Sequence, residues 1–403
     1  MKYIVIIGDG MADRPVESIG GITPLKKAKT PNMDLIASRG TVGRVRTIPD
    51  GLPAGSDVAN LSILGYAPSV YYSGRAPLEA ASMGIELESS DVAFRCNTVT
   101  LNMNGDWPEY IMEDYSAGHI SSDESREIML SVGKAIGTES IRFYPGISYR
   151  HLMVWKDGND KVDCVPPHDI LGESIGEHMI KGEGSDSLNE LIKRSWKVLD
   201  GHKINEDRKA AGKNPANSIW LWGQGRKPAL PGYKEKYGIT GALISAVDLT
   251  KGLGVYAGFD IIDVPGATGY IDTNYKGKAE YSLKALEDHD FVYLHIEAPD
   301  EAGHNGNLDD KIRAIEDIDE LVVGPIVAAL PKMFGEFRLL FMPDHATPLS
   351  VRTHTDDPVP FVIYDGKVSA DIGISGYDED IIDNERALAF EEGHELMDHF
   401  IKD

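Results

Sequence analysis

An α/β protein is predicted, with a mostly parallel sheet flanked by helices and a smaller α+β domain inserted into it, and three observations predict it. Unbroken apolar runs of strand length recur near the two ends of the chain: Tyr3 to Ile7, Phe291 to Ile296, Leu339 to Met342 and Val359 to Tyr364. Runs without alternation are what strands covered on both faces need. Between the second and third runs, Leu308, Ile312, Ile315, Ile318 and Val322 recur at three- and four-residue steps. That spacing predicts an amphipathic helix over 308–323 with its acidic face outward, and strand, helix, strand in this order implies parallel strands joined by crossovers. The third observation is a change of pattern from about Asp91 to Tyr237, where shorter alternating stretches such as Asn97 to Leu101 and His151 to Trp155 are separated by Asn-Gly, Asp-Gly and Pro-Pro turns. These read as antiparallel strands with one exposed face.

The resulting parse is a core made from residues 1–80 and 240–403, with 81–239 inserted as a cap. Within the insert, 202–215 (HKINEDRKAAGKNP) is nearly devoid of large apolar residues and is expected to be an exposed loop. A terminal helix carrying Leu388, Leu396 and Phe400 should pack on the core. Two patterns carry no site. The glycines from Gly252 to Gly258 have the wrong spacing for a dinucleotide turn and no apolar strand is read before them, and His394 and His399 are five residues apart rather than the four of H-E-x-x-H. No phosphate-binding G-x-x-x-x-G-K-[ST] loop is present.

Composition narrows the classes of function. At 403 residues the chain is long enough for two or three domains with a sizeable core. Cys96 and Cys164 are too few for a disulfide framework or a thiolate zinc site, so a reducing cytoplasm is the expected compartment. Tyr3 to Ile7 is too short for a secretory signal and no apolar run reaches membrane-spanning length, so neither export nor a membrane is expected. With 64 acidic against 40 basic side chains the net charge is -24, which repels a polyphosphate backbone and argues against nucleic acid. An anionic ligand would need metals or an arginine cluster to invert that sign locally. Nothing in the sequence fixes an oligomeric state.

Metal-ligand residue types follow or precede the core strands. The first strand ends in Gly8-Asp9-Gly10, the second runs into Asp300 and His304, the third into Asp344-His345, and the fourth is preceded by His354. Loops beyond the carboxyl ends of strands in an open α/β sheet converge on one crevice. Any one of these histidines alone reads as structural. Together, three carboxylates and three imidazoles are close to what two divalent cations with open positions require, and the acids would repel one another without a cation. Ser56, in the Gly-rich turn Pro53-Ala-Gly-Ser56-Asp57, reads alone as a helix cap. Beside two cations its hydroxyl could instead lose its proton and act as a nucleophile toward a phosphoryl group.

The conjunction of an N-terminal strand ending in GDGM with PAGSDVANLSILGY, IEAPDEAGHNG, PDHATP and HTDDPVPF resembles the alkaline phosphatase superfamily. Within it the chain most resembles the archaeal-type 2,3-bisphosphoglycerate-independent phosphoglycerate mutases. GRAPLEAASMGIEL and GITGALISAVDLTKGLG extend that resemblance over nearly the whole chain, and Ser56-Asp57 stands where the longer bacterial type has a serine-glutamate pair. The resemblance implies an alkaline-phosphatase-like core and interconversion of 3-phosphoglycerate and 2-phosphoglycerate through a phosphoserine at Ser56, without 2,3-bisphosphoglycerate. It also implies one metal held by Asp9, Ser56, Asp344 and His345 and another by Asp300, His304 and His354. Mn²⁺ or Zn²⁺ is expected, with Co²⁺ or Mg²⁺ as alternatives. Cap and hinge cations should clamp the substrate anions. Arg150, Arg226 and Lys276 or Lys278 are the candidates, each as readily read as a solvated surface cation.

Three rivals remain open on sequence alone: a phosphatase or phosphodiesterase using the same metals with water as acceptor, a phosphomutase acting on sugar phosphates, and a non-catalytic metal-binding protein.

Overall fold

The computed structural model describes residues 1–367, 374 and 376–402, and its contacts divide the chain into two compact units, Met1–Tyr72 with Ala229–Asp403, and Ser73–Pro228. In the first unit an eight-stranded sheet runs in the order Asp260–Ile261, Gly241–Ile244, Phe291–Ile296, Lys2–Gly8, Phe337–Met342, Val359–Tyr364, Thr41–Val45, Leu388–Phe390. The first five strands are mutually parallel. Val359–Tyr364 is antiparallel to both its neighbours, and Leu388–Phe390 is parallel to Thr41–Val45. The sheet is therefore mostly parallel as expected. The apolar run at Val359 enters against its neighbour, because only the loop 343–358 and no crossover helix joins it to Phe337–Met342.

Helices cover the sheet with the residues that periodicity selects. Leu308–Ile318 buries Ala314, Ile315 and Ile318, then passes through a π-helical turn, Asp319–Val323, into Gly324–Met333. That turn presents Asp319 to the start of the helix Pro31–Arg39, where its carboxylate accepts from the backbone N–H of Asn32 and Met33 at 3.0 and 2.7 Å. Thr30, the N-cap by position, makes no side-chain cap bond, so a distant carboxylate satisfies these N-terminal donors. The terminal helix is Glu395–Lys402 and buries Leu396, Met397 and Phe400; Leu388 lies in the edge strand instead. The helix Asp248–Ala257, which contains Gly252 and Gly254, does follow a strand, the short buried Gly241–Ile244 that the sequence reading passed over.

In the second unit Val92–Asn102 is the central strand, antiparallel to Ile111–Asp114, Arg150–Trp155 and Ser218–Arg226, with Ile141–Tyr144 at the edge. The strands are antiparallel, but the central one has no exposed face. Phe94, Cys96 and Val99 pack with Ile128, Val132, Leu188 and Ile192 of the helices Ser122–Ile136 and Ser185–Leu199. Ala93, on the other face, packs with Ala76 and Ala80 of the helix Arg75–Ser82. That helix is thus part of the insert's own core, which is why the unit begins at Ser73 rather than near residue 81. At the other end Tyr233 stacks on Phe259 and Phe291 of the first unit, drawing that stretch out of the insert.

The expected loop 202–215 contains a helix, Lys203–Ala210. Polar burial replaces the missing apolar face: Asn205 bonds the carbonyls of Leu199 and Ala216, and Arg208 bonds those of Ala117 and Asn214 and the Glu124 carboxylate. Such burial is tolerated because each group is satisfied. No helix among the described residues is long and apolar enough to cross a membrane.

Candidate metal centre

Three loops of the first unit deliver the titratable side chains, and each leaves the carboxyl end of a parallel strand. Asp9 follows Lys2–Gly8, Asp300 and His304 lie on the helix Ala298–His304 after Phe291–Ile296, and Asp344 and His345 follow Phe337–Met342. The turn after Asp9 requires glycine: Gly10 has φ +60°, and a Cβ there would lie 2.5 Å from the Asp300 carboxylate. His354 comes from the loop before Val359–Tyr364. Its Nε2 lies 2.9 Å from His304 Nε2 and 3.5 Å from Asp300 Oδ1.

Asp300, His304 and His354 form one cluster whose ligand atoms lie within 4.8 Å of one another. Nδ1 of His304 donates to the Arg352 carbonyl at 3.0 Å, and Nδ1 of His354 faces the Ala54 carbonyl at 3.4 Å. A carbonyl only accepts, so both rings carry their proton on Nδ1 and turn their Nε2 atoms toward each other and toward a carboxylate. Two nitrogen lone pairs and a carboxylate converging on one point need a cation there. Without a metal, a proton serves: the hydrogen bond to Asp300 raises His304 to about 9. Burial acts to raise Asp300, but its hydrogen bonds with His304 and His354 hold it well below the usual carboxylate range.

Around Asp9 the same logic holds in drier surroundings. Asp9, Asp344 and His345 are all buried, and His345 Nε2 lies 3.4 Å from Asp9 Oδ1, 3.6 Å from Asp344 Oδ2 and 3.0 Å from Ser56 Oγ. Asp9 is pushed well above its ordinary range by burial and then by the charges of Asp344 and Asp300. Its Oδ1 has no hydrogen-bond partner. An orphaned buried carboxylate oxygen among other carboxylates fits a divalent cation. Ser56 is the first residue of the helix Ser56–Ile63, with its hydroxyl at the positive end of that helix. One turn on, Asn60 donates to the Ser56 carbonyl at 2.8 Å and to Asp344 Oδ2 at 2.7 Å, and accepts from the Tyr293 hydroxyl.

The sequence reading missed His295. It is buried in the strand Phe291–Ile296, with Nε2 3.1 Å from Asp9 Oδ2, and groups with Asp9 and Asp344 as a third candidate cluster. Its only signal was a polar residue inside an otherwise apolar strand. The substrate-binding candidates have different surroundings. Lys278 is buried, donates to the His295 carbonyl at 3.0 Å and is lowered to about 8 by burial, opposed by Glu297 and Asp9. Lys276 is exposed on the same helix, Tyr275–Asp288. Arg226 is engaged inside its own unit by the carbonyls of Ser90 and Gly158 and by Asp160. Arg150 is exposed, with its guanidinium over the Tyr149 ring.

Arg150 belongs to a cationic and aromatic group in the second unit that the sequence reading did not assemble. Arg95, buried in the central strand, pairs with both oxygens of Glu79 and lies 4.2 Å from the Trp222 ring centroid. Burial lowers its pKa, the Glu79 charge opposes this, and Arg75 and Arg150 add to the lowering. His168 stacks edge-on against Trp222 and is lowered by burial and by Arg95 and Arg75. The available signals were an arginine within the strand run VAFRCNTV and Arg75 within GRAPLEAASM.

A buried ion pair braces the Asp9 loop. Lys311 Nζ donates to Asp13 Oδ2 at 2.7 Å and to the Thr347 carbonyl at 2.8 Å, with both side chains at most 1 % exposed. Lys311→Met would strand the Asp13 carboxylate and is expected to cost about 3–5 kcal/mol. Denaturant unfolding should show that loss and its recovery when Asp13→Leu is added.

Residues 37–205 match the family described as 2,3-bisphosphoglycerate-independent phosphoglycerate mutase. A protein of Geobacter sulfurreducens named as a probable 2,3-bisphosphoglycerate-independent phosphoglycerate mutase is 56% identical over 398 residues, covering 99% of both chains. A mutase of that name from Methanosarcina barkeri is 55% identical over 365 residues, 90% of each chain. Among solved structures, a Pyrococcus horikoshii protein aligns with TM-score 0.83 and 31% identity over 99% of this chain and 96% of that one. The cofactor-independent phosphoglycerate mutase of Thermoplasma acidophilum aligns with TM-score 0.67 and 28% identity over 100% and 99%.

Proposed function

This chain belongs to the 2,3-bisphosphoglycerate-independent phosphoglycerate mutases, and from that premise we propose that Ser56 carries the phosphoryl group while 3-phosphoglycerate and 2-phosphoglycerate interconvert. The observation that carries the assignment is the placement of the Ser56 hydroxyl at a helix N-terminus, 3.0 Å from His345 Nε2 and beside the Asp9 and Asp344 carboxylates. Two divalent cations, Mn²⁺ or Zn²⁺ before Co²⁺ or Mg²⁺, would supply charge neutralisation for the phosphate oxygens and acidify the serine hydroxyl. Asp9, Ser56, Asp344 and His345 would hold one, with His295 alongside, and Asp300, His304 and His354 the other.

The chain's own residues then divide the work. Ser56 Oγ forms the bond to phosphorus as the bond to the C3 oxygen of the glycerate breaks, and that oxygen leaves with a proton. The C2 hydroxyl next takes the phosphoryl group and Ser56 is regenerated. Asn60 keeps the first turn of the Ser56 helix in register with Asp344 throughout. Lys278 offsets part of the negative charge of Glu297 and Asp9. A reducing cytoplasm is the proposed compartment, consistent with two unpaired cysteines.

An assay coupled to enolase tests the reading. Purified protein given 3-phosphoglycerate should support phosphoenolpyruvate formation at the same rate with and without 2,3-bisphosphoglycerate. Release of inorganic phosphate in place of 2-phosphoglycerate would assign the same site to a phosphatase.

A further inference from the structure

Thr347 is fully buried and lies two residues beyond His345, in a loop from which no ligand role was read for it. Its hydroxyl stands between groups of different clusters: Oγ1 is 2.5 Å from Asp300 Oδ1 and 3.3 Å from His345 Nδ1. A hydroxyl has one proton to give. The ionised carboxylate of Asp300 only accepts, so the Thr347 proton is committed to it, and the second contact can form only if His345 Nδ1–H donates to Oγ1. His345 Nε2 is then unprotonated, and it is this atom that faces the Ser56 hydroxyl at 3.0 Å. The bonds run in one direction, from Ser56 to His345 to Thr347 to Asp300.

The threonine itself is pinned. Its backbone N–H donates to the Ala12 carbonyl at 3.2 Å and its carbonyl accepts from Lys311 Nζ. The helix Ala298–His304 approaches so closely at Gly303 that a Cβ there would lie 2.6 Å from the Thr347 carbonyl oxygen and 2.9 Å from its methyl. The side chain therefore has little room to turn away from Asp300.

We propose that Thr347 is a positioning residue for the phosphoryl transfer: its hydroxyl sets the tautomer of His345 and orients Asp300, so that one side chain aligns ligands of both cation clusters. The proposal rests on the metal-centre reading above but not on whether the acceptor is glycerate or water. Metal-ligating histidines held by an outer partner on the other ring nitrogen are a general arrangement, and loss of such a partner costs about 10- to 100-fold in metal affinity or activity.

The test uses the full chain freed of metal and titrated with Mn²⁺ alone by calorimetry. Thr347→Val keeps the shape and removes the hydroxyl; it should raise the dissociation constants of both sites by about 10- to 100-fold, while Thr347→Ser stays within about threefold of the parent. The phosphoglycerate Michaelis constant should change little in Thr347→Val, with the loss of activity in turnover. Parent-like Mn²⁺ binding in Thr347→Val would overturn the proposal, as would equal losses in the valine and serine variants or weakening at one site alone. A measurement on the parent stands even if the valine variant does not fold: nitrogen-15 shifts of the His345 ring in the metal-free protein should show Nδ1 protonated and Nε2 not. The reverse tautomer would overturn the proposal. Failure of the enolase-coupled assay with these results intact would count against the mutase reading only.

Discussion

Ser56→Ala should yield a folded protein that binds divalent cations and turns over phosphoglycerate slower by on the order of 10⁵- to 10⁶-fold, as expected when a covalent nucleophile is removed. The size of the effect follows from the geometry. Ser56 Oγ is the hydroxyl that combines a helix N-terminus with contact to His345 Nε2. The buried hydroxyl of Thr347 is committed to Asp300 and His345. Asp9, Asp344 and His345 remain in the variant, so cation binding should fall far less than turnover. Circular dichroism and Mn²⁺ calorimetry on the same preparation separate loss of the nucleophile from loss of the fold. Turnover within tenfold of the parent would remove Ser56 from the mechanism.

Stripping the metals should abolish activity and also destabilise the protein. Asp9, Asp300 and Asp344 are at most 5 % exposed, and a divalent ion among them offsets their mutual repulsion. Adding Mn²⁺ or Zn²⁺ at 100 times its dissociation constant should restore about 2.7 kcal/mol of stability per site. The pH dependence has a definite sign. His304 is raised to about 9 in the folded, metal-free protein by its hydrogen bond to Asp300, against about 6.5 in an unfolded chain. Its contribution to metal-free stability is therefore fully present below about 6.5 and lost as the pH rises through about 9. The same proton must leave before a cation can bind, so metal affinity at this site should rise across that window, with about one proton released per ion near neutral pH. Calorimetry in buffers of different ionisation enthalpy reads the proton directly. Affinity independent of pH from 6.5 to 9, or full activity after verified metal removal, would refute the two-cation assignment.

The candidate metal cluster was legible in the sequence because carboxylates and imidazoles are few residue types and topology confines these to strand ends. Asp9, Asp300, Asp344 and His345 follow apolar runs that could be strands only of a buried sheet, and the structure brings them and His354 together. His295 was not legible, since a histidine inside a strand gives no spacing to read. Strand direction was equally hidden: Val359–Tyr364 is as apolar as the mutually parallel strands of the sheet, and only the absence of a crossover helix before it distinguishes it. The insert misled in two places for one reason. The helix Lys203–Ala210 is held by hydrogen-bonded Asn205 and Arg208, and the central strand hides Arg95 against Glu79 and Trp222. Hydrophobic periodicity does not register burial achieved by satisfied polar groups.

The central claim is that the phosphoryl group leaving the substrate is the one that returns, by way of Ser56. It is tested most directly by supplying ³²P-labelled 3-phosphoglycerate together with excess unlabelled inorganic phosphate, without 2,3-bisphosphoglycerate, and quenching in acid during turnover. The account predicts that the 2-phosphoglycerate formed retains the full specific activity of the substrate and that the labelled peptide of the quenched protein carries phosphoserine at residue 56. Label appearing in inorganic phosphate, dilution of the product's specific activity, or a phosphopeptide from any other residue would contradict it.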